Sequence, residues 1–266
     1  MKRKLLQKIL AEVGLSISVF DKAFNDAKKL YGSIQTEQSD RIKVSCALSY
    51  CKDGRLCDLG SYVNMYPVVL ALLGMRVTTV DYYPQASPDH PHHSLDIPKV
   101  LDIYRSVAIE VIESNLYDVM LPEESFDIVT SFETFEHFWH SPKPVMHKIV
   151  AALRLGSDFV LSVPNIVSLK NRLKIIMGQS PLPHYPFFFE HGYPFTGHRR
   201  EMTIGEVHYM MTAMGLHRKK LFAANLVVPP TKNITAKGHL YRILTNIFPL
   251  PKGLRPTIYA VYSKGS

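Results

Sequence analysis

The chain has 266 residues, 46% apolar and 20% charged, with a net charge of +8. This length suits one α/β domain with insertions and an ample core, and the composition excludes a disordered chain. No apolar run reaches the ~20 residues needed to span a bilayer. Cys46, Cys51 and Cys57 lack C-x-x-C spacing, so they read as reduced thiols of a cytoplasmic protein rather than a zinc or disulfide frame.

The positive charge is spread along the chain except in residues 1–31, which hold seven Lys/Arg against three Asp/Glu. There Leu5, Leu6, Ile9, Leu10 and Val13 follow helical spacing. Gln7, Lys8 and Glu12 interrupt the apolar run and no small-residue cleavage site follows, so the segment reads as an amphipathic helix rather than a signal peptide. Helices are expected next from about Val19 to Tyr31 and over residues 40–51, closed by the turn "KDGR". Residues 1–53 thus form an N-terminal helical cover.

After that, strands alternate with helices. Strands are expected at "LCDLG", "RVTTV", "VAIEVI", "FDIVTSF" and "FVLSVP", with helices at Met65–Leu73 and at "KPVMHKIVAALRL". A helix at Thr203–Met214, a strand near Lys220–Val228, a helix around Ala236–Ile247 and a last strand, "TIYAVYS", complete the chain. The alternation predicts an α/β fold over residues 54–266, a Rossmann-like, doubly wound and mostly parallel sheet of seven strands with helices on both faces and a closing antiparallel hairpin. An insertion around residues 166–200 interrupts it.

In such a sheet ligands bind beyond the carboxyl ends of the strands. Gly60 stands at one such end and Asp81 at the next, where a carboxylate can accept from both hydroxyls of a ribose. Tyr62 and Asn64 occupy places where a glycine-rich loop would carry further glycines. Asn64 can hold a left-handed turn, whereas Tyr62 needs an extended backbone with its ring turned aside or stacked on a ligand.

The segments "NLYDVMLPEESFDIVTSFETFEHF", "LRLGSDFVLSVPN" and "HRREMTIGEVHYMMTAMGL" follow in the order and spacing of class I S-adenosylmethionine-dependent methyltransferases. Over roughly residues 55–220 the chain resembles the small-molecule branch of that family, in which an E-x-x-E-H helix follows the fourth strand. The resemblance implies S-adenosylmethionine as cofactor, with Asp58, Gly60 and Ser61 around its methionine part and Asp81 on its ribose. It puts Asn115 at the adenine amino group, in place of the usual Asp, and completes the set with Leu116 and Phe132.

Glu133, Glu136 and His137 stand at i, i+3 and i+4, which share one face of a helix. Together they can act as a general base or hold a divalent ion. Alternatively, Glu136 braces the loop carrying Arg199 and Arg200 while His137 bonds a backbone carbonyl. His140 competes on the same face as base or ligand. Metal-dependent small-RNA 2′-O-methyltransferases are similar here, with a later H-x-x-E-x-T segment matched by "HRREMT". That similarity implies Mg or Mn held by Glu133, Glu136, His137 and His198.

His198, Arg199 and Arg200 are expected at the substrate, where the arginines clamp a phosphate or carboxylate or else pair with Glu201 or Glu136. Thr203 and Glu206 form a capping box. His90, His92 and His93 lie in a proline-rich loop that reads as a mobile cover rather than a metal site. "YPFFFEHGYPF" reads as a lid over the acceptor or a plug on the sheet edge. "SLKNRLKIIMG" is a basic amphipathic helix with Leu169, Leu173, Ile176 and Met177 on or near one face; it faces the core by default, or touches an anionic membrane.

The expected function is O-methylation of a small-molecule hydroxyl on a sugar, lipid precursor or secondary metabolite. His137 is the expected base, with His140 or Glu133 as deputies. Two alternatives stay open: a metal-dependent RNA 2′-O-methyltransferase, suggested by the basic charge, and a non-catalytic binding protein whose cofactor site Tyr62 has degraded.

Overall fold

The computed structural model describes residues 7, 10–32, 40–48, 54–82, 97–190, 195, 197–224 and 251–265. Helix α1 (Ile17–Tyr31) starts at Ser16, whose hydroxyl accepts the Val19 N–H at 3.2 Å, and stops at Gly32, which turns away with φ 57°. It buries Phe20, Ala23, Phe24, Ala27 and Tyr31, a stripe with helical period. Helix α2 (Asp40–Leu48) follows and buries Lys43, Val44, Ala47 and Leu48.

The remaining elements are β1 (Arg55–Leu59), α3 (Tyr66–Leu72), β2 (Arg76–Asp81), α4 (Ile97–Ser106), β3 (Glu110–Glu113), β4 (Phe126–Phe132), α5 (Lys143–Ala152), β5 (Leu153–Pro164), α6 (Leu169–Ile176), α7 (Tyr185–Glu190), α8 (Ile204–Ala213), β6 (Leu216–Ala224) and β7 (Thr257–Lys264). The seven strands lie in the order β3-β2-β1-β4-β5-β7-β6. Strands β1 to β5 are parallel, and β7 runs antiparallel between β5 and β6, which is the expected closing hairpin.

Alternation along the central strands divides the core in two. Leu56, Val77 and Ile128 meet α1, α2, α3 and α4 on one face, while Cys57, Leu59 and Val129 meet α5 and α8 on the other. With both faces covered, β1 and β4 are almost wholly buried, as parallel strands must be. From β1 the chain builds outward through β2 and β3, then returns to lay β4 on the opposite side of β1. The carboxyl ends of β1 and β4 therefore mark the switch point where such sheets open a crevice.

Several expectations change. Glu133, Glu136 and His137 do not share an α-helix: Glu133 has φ 55°, and only Phe135–His137 form a short 3-10 turn. Tyr62, expected extended, takes φ 44°, and Asn64 does not hold the left-handed position. Its carbonyl instead accepts from the hydroxyls of Tyr31 and Tyr104, each at 2.7 Å, so neighbouring helices fix the turn from outside. Helix α5 stops at Ala152 because β5 starts at once to pair Leu153 with Phe126. Helix α6 does not face the core, since Asn171 is its one buried residue. The helix expected at 236–247, the loop with His90, His92 and His93, and Cys51 lie outside the described residues.

Candidate functional site

The turn after β1 and the turn after β4 are pressed together at the switch point. Gly60 takes φ 78°, and a Cβ there would run into the Thr134 side chain, reaching its Cβ at 2.8 Å. The glycine is thus required by the protein's own packing as well as by its backbone angle. Thr134 and Ser131 both donate to the Leu59 carbonyl, at 3.3 and 3.0 Å, which locks the two turns at one depth.

Asp58 is buried beneath this junction. Its Oδ1 accepts the Thr130 hydroxyl at 2.8 Å, while its Oδ2 has no hydrogen-bond partner. Burial raises its pKa above the ordinary aspartate value, against the pull of the Ser61, Tyr66 and Thr130 hydroxyls and the Lys43 charge. The Ser61 hydroxyl donates to the Asp58 carbonyl at 3.0 Å. Asp81 is held in place by two backbone donors, the N–H of Tyr62 at 2.8 Å and that of Tyr82 at 2.7 Å. Tyr62 can supply its N–H because of its left-handed backbone, and its half-buried ring packs against the core. Burial and the Asp81 charge both raise its phenol pKa.

Asn115 is exposed after β3, and its Oδ1 accepts the Tyr117 N–H at 2.8 Å, leaving a lone pair and the Nδ2 hydrogens for other partners. Leu116 is buried nearby in the core of the α5 face, and Phe132 meets Tyr66 edge-on, centroids 5.4 Å apart, on the opposite face.

The β4 turn carries the acid and imidazole groups. Glu136 is fully buried, and neither carboxylate oxygen has a hydrogen-bond partner. Burial, then the Glu133 charge, hold its carboxyl well above the usual range. Its backbone carbonyl accepts the N–H groups of Arg199 and Arg200 at 2.7 and 3.2 Å, so it does brace that loop, through the main chain. The loop brings His198 back over Glu136: His198 Nε2 lies 3.9 Å from Glu136 Oε1, and its Nδ1 lies 3.0 Å from Glu201 Oε1. The His137 and His198 rings meet edge to face at 4.9 Å. One ligand atom each from Glu136, His137 and His198 fall within 4.8 Å of one another.

Glu133, expected as a fourth ligand, stands outside that group and accepts the Ser162 hydroxyl at 2.7 Å. His140 is exposed beside the Tyr117 ring, also outside the group. Both arginines are engaged within the chain. Arg199 lies over Trp139 and donates to the Phe195 carbonyl, and Arg200 pairs with Glu206 at 2.6 Å. The capping box forms as expected, with Thr203 and Glu206 exchanging hydrogen bonds at the start of α8.

Sequence reasoning missed Thr134 and Lys43, and it named Glu201 as a partner for the arginines, not for His198. Lys43 of α2 is buried, its Nζ 3.4 Å from Asn64 Oδ1 and over the Tyr66 ring. Nothing in the sequence marks it, because a lysine on a helix ordinarily reads as a solvated charge. For Glu201, the available signal was its i+3 spacing from His198.

A family model described as a methyltransferase domain matches residues 57–161. No curated protein sequence matches the chain. Among solved structures, a candidate S-adenosylmethionine-dependent methyltransferase from Listeria monocytogenes superposes with a TM-score of 0.56 at 11% identity, over 86% of this chain and 99% of that one. A SAM-dependent methyltransferase from Methanosarcina mazei gives 0.52 at 16% identity, over 83% and 97%. The 1,6-didemethyltoxoflavin-N1-methyltransferase of Burkholderia thailandensis, solved with 1,6-didemethyltoxoflavin and S-adenosylhomocysteine, gives 0.51 at 14% identity, over 94% and 87%. At these identities the likeness is one of fold.

Proposed function

We propose that this chain is a class I S-adenosylmethionine-dependent methyltransferase, a reading supported by the methyltransferase domain matched over residues 57–161, and that it methylates a small-molecule hydroxyl deprotonated by the Glu136, His137 and His198 set. The observation that carries the reading is the junction at Thr134, which sets the β4 turn that goes on to carry Glu136 and His137 against the β1 turn at Gly60.

The residues at the β1 turn fit the cofactor. Asp58 keeps a buried oxygen with no hydrogen-bond partner, which the cationic methionyl end of the ligand would satisfy. Asp81, fixed by two backbone donors, offers its remaining lone pairs to a ribose. When bound, S-adenosylmethionine supplies an electrophilic methyl group on sulfur. The chain's task is to align an acceptor oxygen and remove its proton. With its Nδ1–H directed to Glu201, His198 keeps Nε2 as a proton acceptor facing Glu136. His137, edge-on to it, is the proposed base.

A second reading rests on the same cluster. Glu136 with two imidazoles suits Mn or Zn better than Mg, which prefers oxygen ligands. Glu201 would then orient His198 as outer carboxylates orient metal-bound histidines. Elemental analysis of the purified protein decides it, a stoichiometric ion supporting this reading and none removing it.

The acceptor class is tested by following S-adenosylhomocysteine release against panels of hydroxyl and amine acceptors. Turnover on hydroxyl compounds is expected. Turnover confined to amines, or cofactor binding with no turnover on either panel, overturns the proposal.

A further inference from the structure

Between β5 and α8 the chain leaves the sheet and reverses the usual sense of burial. From Leu169 to Glu190 Asn171 is the one buried residue. Nine of the seventeen large apolar side chains exposed among the described residues fall between Leu173 and Phe189, led by Ile176 at 80% and Tyr185 and Phe189 at 69%.

Helix α6 shows the reversal most clearly. Asn171 points inward, its Nδ2 3.4 Å from Glu201 Oε2. At 100° per residue the opposite side of the helix carries Leu169, Leu173 and Ile176. Lys170 and Lys174 flank that stripe on one side and Arg172 on the other. Against these three cations, residues 169–190 hold one acid, Glu190. A polar residue inward, an apolar stripe outward and cations along both margins describe a helix lying in a membrane interface. Helix α7 adds exposed Tyr185, a ring that favours the headgroup level, and exposed Phe187, Phe188 and Phe189, rings suited to the apolar side. It is tied to the body where Phe188 meets Phe195 edge-on at 5.0 Å.

We propose that the α6–α7 segment is a docking surface for an anionic lipid bilayer, with Ile176, Met177 and Phe189 entering the acyl boundary and Lys170, Arg172 and Lys174 meeting the phosphates. A second copy of the chain is the poorer occupant. A two-fold interface sets a patch against itself, bringing three cations against three cations in a desolvated contact. The proposal does not depend on the acceptor or on the methyl-transfer reading.

The test is flotation of the full chain with phosphatidylcholine vesicles, with and without phosphatidylglycerol. The partition coefficient on anionic vesicles is expected to exceed that on neutral ones by about thirtyfold to a hundred-and-fiftyfold, the range for two to three cations at such a surface. Lys170→Gln with Lys174→Gln is expected to lose most of that preference. Ile176→Asp with Phe189→Asp is expected to abolish recovery on both vesicles. Both pairs are exposed or nearly so, and an unchanged melting temperature shows that each variant is folded. Equal recovery on neutral and anionic vesicles, no recovery, or unaltered binding by the Asp variant overturns the proposal. So does a concentration-dependent dimer that the Asp variant dissolves, because it assigns the surface to a second copy.

Discussion

The β1–β4 junction and the α6–α7 segment treat polarity in opposite ways. At the junction, Asp58, Ser61 and Glu136 are polar and buried to 1% exposure or less. In the segment, Ile176 and Phe189 are apolar and mostly exposed. Each arrangement costs free energy in the isolated chain, in one place by stripping water from carboxylates and in the other by leaving hydrocarbon wet. The scale of the compensating partner differs. An orphaned carboxylate oxygen calls for one small cationic group, whereas an apolar stripe several side chains long calls for an extended surface. The two regions meet at Glu201, which holds His198 with one oxygen and lies near Asn171 with the other.

Substitutions at the two regions should therefore differ in kind. The largest effect is expected from His137→Ala, which should lower kcat by ~10²–10⁴ if it removes the base. S-adenosylhomocysteine affinity by calorimetry should stay unchanged, and a parallel loss of that affinity would instead make His137 part of the cofactor's own binding surface. Gly60→Ala comes next. Its new methyl group meets Thr134 in a backbone region that disfavours side chains, so a loss of about 3 kcal/mol, or roughly 6–12 °C in melting temperature, is expected. Removing the obstacle with Thr134→Gly in the same chain should recover part of it.

Asp58→Asn sharpens the comparison through pH. The native carboxyl holds its proton to higher pH than the unfolded chain does. The native state therefore binds more protons across that window, and stability falls as pH rises from about 4 toward the raised native value. The amide has no such titration, so the variant's melting temperature should gain on the parent's as pH rises, while its affinity for S-adenosylmethionine falls. A constant difference from pH 4 to 8 would mean that Asp58 titrates as an ordinary aspartate. The smallest effect is expected from Ile176→Ser, within ~0.5 kcal/mol or about 1–2 °C. A larger loss would show that this side chain is packed in solution.

The sheet was legible because its parallel strands are continuous apolar runs and its helices repeat at 3.6. The start of α8 was legible too, since Thr203 and Glu206 carry a local hydrogen-bond exchange at fixed spacing. The E-x-x-E-H spacing misled for a different reason. Helical spacing predicts a shared face only where the backbone is helical, and Glu133 sits at φ 55° with no glycine or asparagine to announce it. Tyr62 is unannounced in the same way, since its φ of 44° goes with a long-range hydrogen bond from its N–H to Asp81. Helix α6 was read as amphipathic, but its default orientation toward the core does not hold. Periodicity reports that two faces differ; which face finds the core depends on what the rest of the chain has already covered.

The position of β7 bears on how the molecule is made. Among the described residues strand β6 has β7 as its one neighbour in the sheet, and β7 also seals the open side of β5. During synthesis the five parallel strands can assemble in order, but β6 emerges with nothing to pair with until β7 has followed it. Over that interval β5 presents an unpaired margin, the form of exposed edge that recruits strands from other chains. Strand β7 therefore acts as a closing zip, and a ribosome stalled before Thr257 would release a product with an unpaired β5 margin, prone to aggregation.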